Sequence, residues 1–266
     1  YVGCMSGGLF MGQEHLGALL AEQLGMGPIP GTRVESACAS GGLAFRQAYL
    51  AVASGAHDLV LASGLEKMTD VDGGAATYAL STAADQEYEC YQGITFPGLY
   101  AMMARVHMHR YGTTRRQLAE VAVKNHRHGS MNPLAQFPMK VTAEQVMESV
   151  LVADPLRILD CSPITDGAAA AVLVPLELAR KITKGPIIRV AASAHATDTI
   201  ALHDREDLAW IGSTAKAAED AYKQAGLGPQ DLSFVEVHDC FTIAEILVIA
   251  ALGLCDRRQG GTAAES

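Results

Sequence analysis

The sequence predicts an α/β fold of two similar halves with a mostly helical segment inserted in the first. Three observations predict it. Strand-like apolar runs alternate with helical runs from the first residue onward. Apolar residues make up 49% of the 266 residues and charged residues 18%, enough to bury a sizeable core. And two segments repeat one pattern: "VESACASGGLAFRQAYLAVASG" and "VEVHDCFTIAEILVIAALG" each carry Val-Glu at a strand end, a cysteine soon after, then a helix rich in Ala and Leu. Each is preceded by a helical run that stops at glycine, "LLAEQLG" and "DAYKQAG".

In order, "YVGCMSGG" reads as a short strand entering a Gly-rich turn. "QEHLGALLAEQLG" has helical periodicity and stops at Gly25, and "TRVESAC" reads as a strand. "SGGLAFRQAYLAVASG" is a helix with Gly55 near its end, followed by the strand "DLVLASG". From about 69 to 160 the character changes: a polar, turn-rich stretch, then helices at "LYAMMARVHMHRYG", "TRRQLAEVAVKNHRHG" and about 142–151. "DGAAAAVLVP" returns as a buried strand and "PIIRVAASAHAT" as another. "STAKAAEDAYKQAGL" is an amphipathic helix ending at Gly226, and "LSFVEV" is a final strand running into His238, Asp239 and Cys240. The halves therefore span 1–178, with the insertion at about 69–160, and 179–266.

The net charge of −9 argues against a nucleic-acid partner. Locally the balance reverses: Arg105, Arg110, Arg115, Arg116, Lys124, Arg127 and Lys140 stand against Glu120 alone. That patch suits a small anionic ligand, and equally a solvated helix face. The six cysteines lack zinc-type spacing and the chain is large enough to dispense with a disulfide framework, so they read as cytoplasmic thiols. The most apolar stretch, 243–254, is too short to span a membrane and reads as a buried core helix.

Cys38 lies where a strand gives way to a helix. Unpaired N–H groups and the positive end of the helix dipole there favour thiolate, so the expected pKa is lowered. Gly41 and Gly42 permit close backbone approach, and the Cys38 N–H can line an oxyanion hole. Cys4, Cys90, Cys161 and Cys255 read as structural. At the second junction, a neutral His238 can donate to a developing oxyanion and Cys240 can move a proton to or from carbon. Asp239 then points elsewhere, as an N-cap for the following helix.

These motifs together resemble the thiolase family. "VESACASGG" is similar to its Cys-x-Ser nucleophile motif at Cys38 and Ser40, and "ASGLEKMTD" to its Gly-x-Glu-x-Met segment at Gly64, Glu66 and Met68. "SPITDGAAAAVL" resembles the strand closing the N-terminal half. "VHDCFT" resembles the His-Asp-Cys-Phe motif of the sterol-carrier-protein type, shared with archaeal acetoacetyl-CoA thiolases. The resemblance implies the layered α-β-α-β-α thiolase fold and acyl transfer between a 3-ketoacyl-CoA and CoA, or acetyl-CoA condensation, through acyl-Cys38. His238 would serve the oxyanion and Cys240 the proton. It further implies that the insertion covers CoA, with Arg115, Arg116 and Arg127 as phosphate partners and His126 along the tunnel. CoA and its thioester are substrates, and no metal or resident cofactor is expected. A homodimer or homotetramer is implied, with a small OB-fold protein and hydroxymethylglutaryl-CoA synthase as further partners.

The chain opens inside an apparent strand and closes before the family's Gly-His-Pro motif, so the expectation is a fragment lacking both ends and inactive alone. Two other readings of the same fold are a thiolase-like retro-aldol lyase and a non-catalytic CoA- or lipid-binding scaffold. A ketosynthase would lack "HDCF". Retention of both Cys38 and Cys240 favours the thiolase.

Overall fold

The computed structural model describes residues 1–265. The strands and helices run β1 (Val2–Gly3), α1 (Gly7–Met11), α2 (Leu16–Gln23), β2 (Arg33–Val34), α3 (Ser40–Ala53), β3 (Val60–Glu66), α4 (Gly73–Ser81), α5 (Phe96–Tyr111) and α6 (Arg115–Gly129). They continue with α7 (Ala143–Glu148), β4 (Leu151–Ala153), β5 (Leu156–Arg157), β6 (Gly167–Leu173), α8 (Leu176–Ile182), α9 (Gly212–Ala225), α10 (Thr242–Ala251) and α11 (Gly260–Ala263). Two compact units result, one from Tyr1–Ala83 with Ile164–Ala194, the other from Ala84–Pro163 with His195–Ser266. The residues read as an insertion divide between them: 69–83 fold with the first unit, and 84–160 fold with the C-terminal helices.

The first unit is built on a four-stranded sheet of order β2-β1-β3-β6. β1 pairs in parallel with β2 and β3, and β6 closes antiparallel on β3 along all seven residues, from Val60 opposite Leu173 to Glu66 opposite Gly167. α3 lies on this sheet through small residues. Ala48 and Ala51 are buried against Val60, Ala62 and Leu173. Two glycines allow the approach: a Cβ on Gly3 would stand 2.2 Å from the Ser40 carbonyl oxygen, and one on Gly64 would stand 3.1 Å from the Gly41 Cα. The start of α3 is thereby pressed onto the ends of β1 and β3. Gly42, by contrast, faces open space.

The core of the second unit surrounds α10. Thr242 through Leu247 are all buried, so this helix is covered on every side rather than along one stripe. Ile243, Ile246 and Leu247 pack with Leu99 and Met103 of α5, Leu118 and Val121 of α6, and Leu156 of β5. A satellite cluster of Ala119, Ala122, Val141, Ala143 and Val146 joins α6 to α7. α6 opens on a reciprocal cap in which the Thr114 hydroxyl accepts from the Gln117 N–H and the Gln117 side chain accepts from the Thr114 N–H.

Four strand expectations need correction. "TRVESAC" contributes only Arg33–Val34 to the sheet. The runs at 186–197 and 232–237 form no helix and join no ladder among the described residues, and Ile188 and Phe234 in them are largely exposed. Apolar composition favours an extended chain, but a strand also needs a neighbour to take its N–H and C=O groups. β6 does form, yet as a sheet edge with Leu173 its one buried residue. The helix expected at 142–151 ends at Glu148, where the chain turns into β4. Among the described residues, no helix is long and apolar enough to cross a membrane.

Candidate active site

Cys38 belongs to the first unit. Leaving β2, the chain passes through Ser36 to Ala37, whose φ of 46° places a residue with a Cβ in the left-handed region. A single 3₁₀ turn, Ala37–Ala39, presents Cys38 immediately ahead of α3. The buried Ser40 hydroxyl locks this turn. It accepts from the Ser36 N–H at 2.9 Å and donates to the Ala37 carbonyl at 2.6 Å. The second residue of the Cys-x-Ser pair thus holds the strained backbone that exposes the first.

The expected lowering of the Cys38 pKa is corrected here. The thiol is held above its ordinary value, chiefly because neighbouring protein desolvates it, with the Glu66 carboxylate adding to the effect. Its own backbone N–H favours the thiolate but does not prevail. Chemically, such a thiol needs a base to become a nucleophile.

The Gly-x-Glu-x-Met segment has a physical account in the same unit. Gly64 meets Gly41. The Glu66 carboxylate accepts the Met5 N–H and lies 3.6 Å from the Cys4 sulfur. Burial first, and Glu66 second, push Cys4 up to about 11, so it stays a protonated core thiol. The Met68 N–H donates to the Asp166 carboxylate at 2.7 Å. That carboxyl is held below its usual value, mainly by the Thr69 hydroxyl.

His238 and Cys240 belong to the second unit, in the turn that opens α10. Phe241 takes the N-cap position without a side-chain cap, so the capping role expected of Asp239 is not observed. Asp239 instead accepts from the Asn125 amide nitrogen at 2.5 Å, and the same nitrogen donates to Glu245 at 2.8 Å. The Lys124 ammonium lies 2.7 Å from the other Glu245 oxygen. On its other flank the turn is tied to 160–162. The Ser162 N–H donates to the Cys240 carbonyl at 2.9 Å, Cys161 and Phe241 form an antiparallel bridge, and the Thr242 hydroxyl donates to Asp160 at 2.9 Å.

His238 is an exposed residue whose pKa is nonetheless lowered, because surrounding protein partly desolvates the ring; the Asp239 charge opposes that shift. The imidazole is therefore neutral at neutral pH and can donate one N–H. Followed by NMR, its titration is expected to centre below 6.5, and Asp239→Asn is expected to move the midpoint lower still, because the opposing charge is gone. Between the folded and unfolded values the unfolded chain binds more protons, so this group's contribution to stability is lost as pH falls below 6.5. A midpoint at or above 6.5 would contradict the desolvation of the ring.

The basic residues singled out on α6 have different fates. Arg115 is committed to the fully buried Asp160 carboxylate at 3.0 Å. Arg116 makes two exposed pairs, with Glu120 at 3.4 Å and Glu144 at 3.3 Å, which salt and solvent weaken. His126 Nδ1 lies 3.1 Å from the Met139 carbonyl oxygen, and Arg127 is exposed near the end of the helix. Asn125 and Asp160, which sequence reading passed over, and Lys124, read there only as one cation of the basic run, are the residues that hold the His238–Cys240 turn.

The family model "Thiolase, N-terminal domain" matches residues 1–177, and "Thiolase C-terminal domain-like" matches 194–266. The chain belongs to the thiolase family. A protein named acetyl-CoA acetyltransferase from Methanothermobacter thermautotrophicus is 60% identical over 265 residues, covering 100% of this chain and 68% of that protein. One of the same name from Methanocaldococcus jannaschii is 52% identical over 262 residues, covering 98% of this chain and 66% of that protein. Among solved structures, the Ltp2-ChsH2(DUF35) aldolase superposes with a TM-score of 0.77 at 27% identity, over 92% of this chain and 65% of that one. The chain thus spans about two thirds of the thiolase relatives it matches.

Proposed function

We propose that the parent protein is a thiolase that transfers an acyl group between a 3-ketoacyl-CoA and CoA, or condenses two acetyl-CoA to acetoacetyl-CoA. The observation that carries the reading is the exposed Cys38 thiol on a locked turn ahead of α3, in a chain 60% identical to a protein named acetyl-CoA acetyltransferase.

In thiolysis the Cys38 sulfur, its proton taken by a base, attacks the 3-keto carbon. The bond between carbons 2 and 3 breaks, its electron pair passing into the enolate of acetyl-CoA, and the acyl group stays on sulfur as a thioester. The neutral His238 donates to the enolate oxygen while the Cys240 thiol gives its proton to carbon 2. The CoA thiol then gives its proton to the Cys240 thiolate and attacks acyl-Cys38, releasing acyl-CoA, and the base returns its proton to the Cys38 sulfur. The raised pKa of Cys38 makes the base obligatory, and family resemblance assigns that task to the His of a Gly-His-Pro motif. CoA serves as substrate and no resident cofactor enters these steps. Arg116, Arg127 and His126 are the candidates for CoA contacts, since Arg115 is already held by Asp160. We place the enzyme in the cytoplasm as a homodimer or homotetramer, with a small OB-fold protein and hydroxymethylglutaryl-CoA synthase as further partners.

Likeness to a structure named an aldolase in complex with a DUF35 protein supports a second reading, a retro-aldol lyase. The two separate on one measurement. The full-length protein, incubated with acetyl-CoA and digested, is expected to yield an acetyl adduct on the Cys38 peptide by mass spectrometry. A protein that cleaves a 3-hydroxyacyl-CoA while Cys38 stays unmodified would be the lyase.

A further inference from the structure

We propose that Asn125 is a positioning residue for the acid/base turn: its amide nitrogen, bridging the carboxylates of Asp239 and Glu245, fixes the backbone that carries His238 and Cys240. The proposal deepens the thiolase reading and rests on it for the roles of those two residues.

The geometry is specific. Both hydrogens of one nitrogen are used, toward Asp239 at 2.5 Å and Glu245 at 2.8 Å. Glu245 is 4% exposed and sits among Ile243, Ile246 and Leu247, all in the core. A carboxylate there is costly unless paired, and its pairing is complete: Lys124 takes one oxygen at 2.7 Å and Asn125 the other. Lys124 and Asn125 are consecutive on α6, while Glu245 is on α10, so the cluster joins two helices of one core. Glu245 orients the amide, and the amide grips Asp239.

Asp239 has no capping task, because Phe241 occupies the cap of α10. Its carboxylate is spent on Asn125, and it stands directly between the two residues that act on substrate. Tethering it restrains the backbone on both sides, while the Ser162 N–H restrains the Cys240 carbonyl from the opposite flank. Few side chains at 125 can do this. Aspartate would set a third carboxylate against two, and alanine would free Asp239 and leave one Glu245 oxygen without its donor. Proton delivery to carbon is sensitive to small displacements, so a loosened turn should slow turnover without altering CoA binding.

The test is a double-mutant cycle in the full-length protein, with Asn125→Ala, Asp239→Ala and the pair. Asp239→Ala leaves the Lys124–Glu245–Asn125 cluster in the core and guards against a folding defect in the other variant. Each single change is expected to lower kcat for acetoacetyl-CoA thiolysis by roughly 10- to 100-fold, with KM nearly unchanged and Cys38 still acetylated by acetyl-CoA. The double variant is expected to be no slower than the slower single, because both cut one link. Losses that multiply in the double variant, or unaltered kcat in Asn125→Ala, would overturn the proposal. The same cycle is read in the rate of Cys240 alkylation by iodoacetamide, which requires no turnover: the singles should change that rate equally and the pair no further. Failure of the unaltered protein to acetylate Cys38 would count against the thiolase reading, while the alkylation cycle still decides the positioning role.

Discussion

Cys38→Ala in the full-length protein is expected to lower kcat/KM for acetoacetyl-CoA thiolysis by roughly 10⁴- to 10⁶-fold, the scale seen when a covalent nucleophile is removed. No acetyl adduct should then form. Two features of the structure make the prediction sharp. The residue is exposed and belongs to none of the hydrophobic clusters, so the substitution should alter stability by no more than about 1 kcal/mol. The turn that presents it is held by Ser40 through the backbone of Ser36 and Ala37, which alanine leaves intact. Loss of rate with an unchanged unfolding midpoint would therefore report chemistry rather than folding. Activity within tenfold of the unaltered protein would exclude an acyl-cysteine intermediate. Cys38→Ser should be nearly as slow, since a hydroxyl in the same desolvated setting is a far weaker nucleophile than a thiol.

What the amino-acid sequence disclosed and what it concealed follow from the range of the interactions involved. The helices were legible because their signals are local. Periodicity and terminal glycines place α3, α5, α6 and α9 within a few residues, and Gly112 and Gly226 do adopt the left-handed conformation that ends a helix. The strands were less so. The runs at 186–197 and 232–237 carry strand composition, but a ladder is a property of two segments and neither run pairs among the described residues. The position of Cys38 ahead of a helix was readable from "ACASGG". Its raised pKa was not, because that depends on packing around the sulfur and on Glu66, a residue of another element. The support of the His238–Cys240 turn was the least legible part. Asn125 reaches Asp239 across 114 positions of sequence, and Thr242 reaches Asp160 across 82. Arg115 illustrates the same limit from the other side. Read along the chain it is one more cation in a basic run, and only the fold shows that a buried carboxylate already holds it.

Asp160→Ala is expected to cost about 3–5 kcal/mol of stability, the range for deleting one partner of a buried ion pair. The Asp160 side chain is wholly shielded from solvent, accepts two hydrogen bonds and is paired with one cation. It accepts the Arg157 N–H at 2.8 Å and the Thr242 hydroxyl at 2.9 Å, and it faces the Arg115 guanidinium at 3.0 Å. Alanine would leave the Arg157 N–H and the Thr242 hydroxyl without an acceptor, and Arg115, three-quarters buried, would keep its charge without a counter-ion. Asp160→Asn retains the shape and one acceptor, so it should cost less, and Thr242→Val, which removes a single hydrogen bond, about 1 kcal/mol. Urea unfolding midpoints at constant slope would rank the three. A loss below 1 kcal/mol for Asp160→Ala would mean that water replaces the carboxylate, and that the ion pair is not the anchor described. The position of Asp160 also gives the substitution a local signature. Thr242 is the first residue of α10, and the neighbouring Cys161–Phe241 bridge and Ser162–Cys240 hydrogen bond tie the same segment to the His238–Cys240 turn. Below the unfolding transition, Asp160→Ala should therefore speed alkylation of Cys240 while leaving that of Cys38 unchanged. The latter sits in the first unit, on a turn held by Ser40. Equal acceleration at both cysteines would point instead to global opening, and would assign Asp160 to the stability of the chain as a whole rather than to the geometry of the turn.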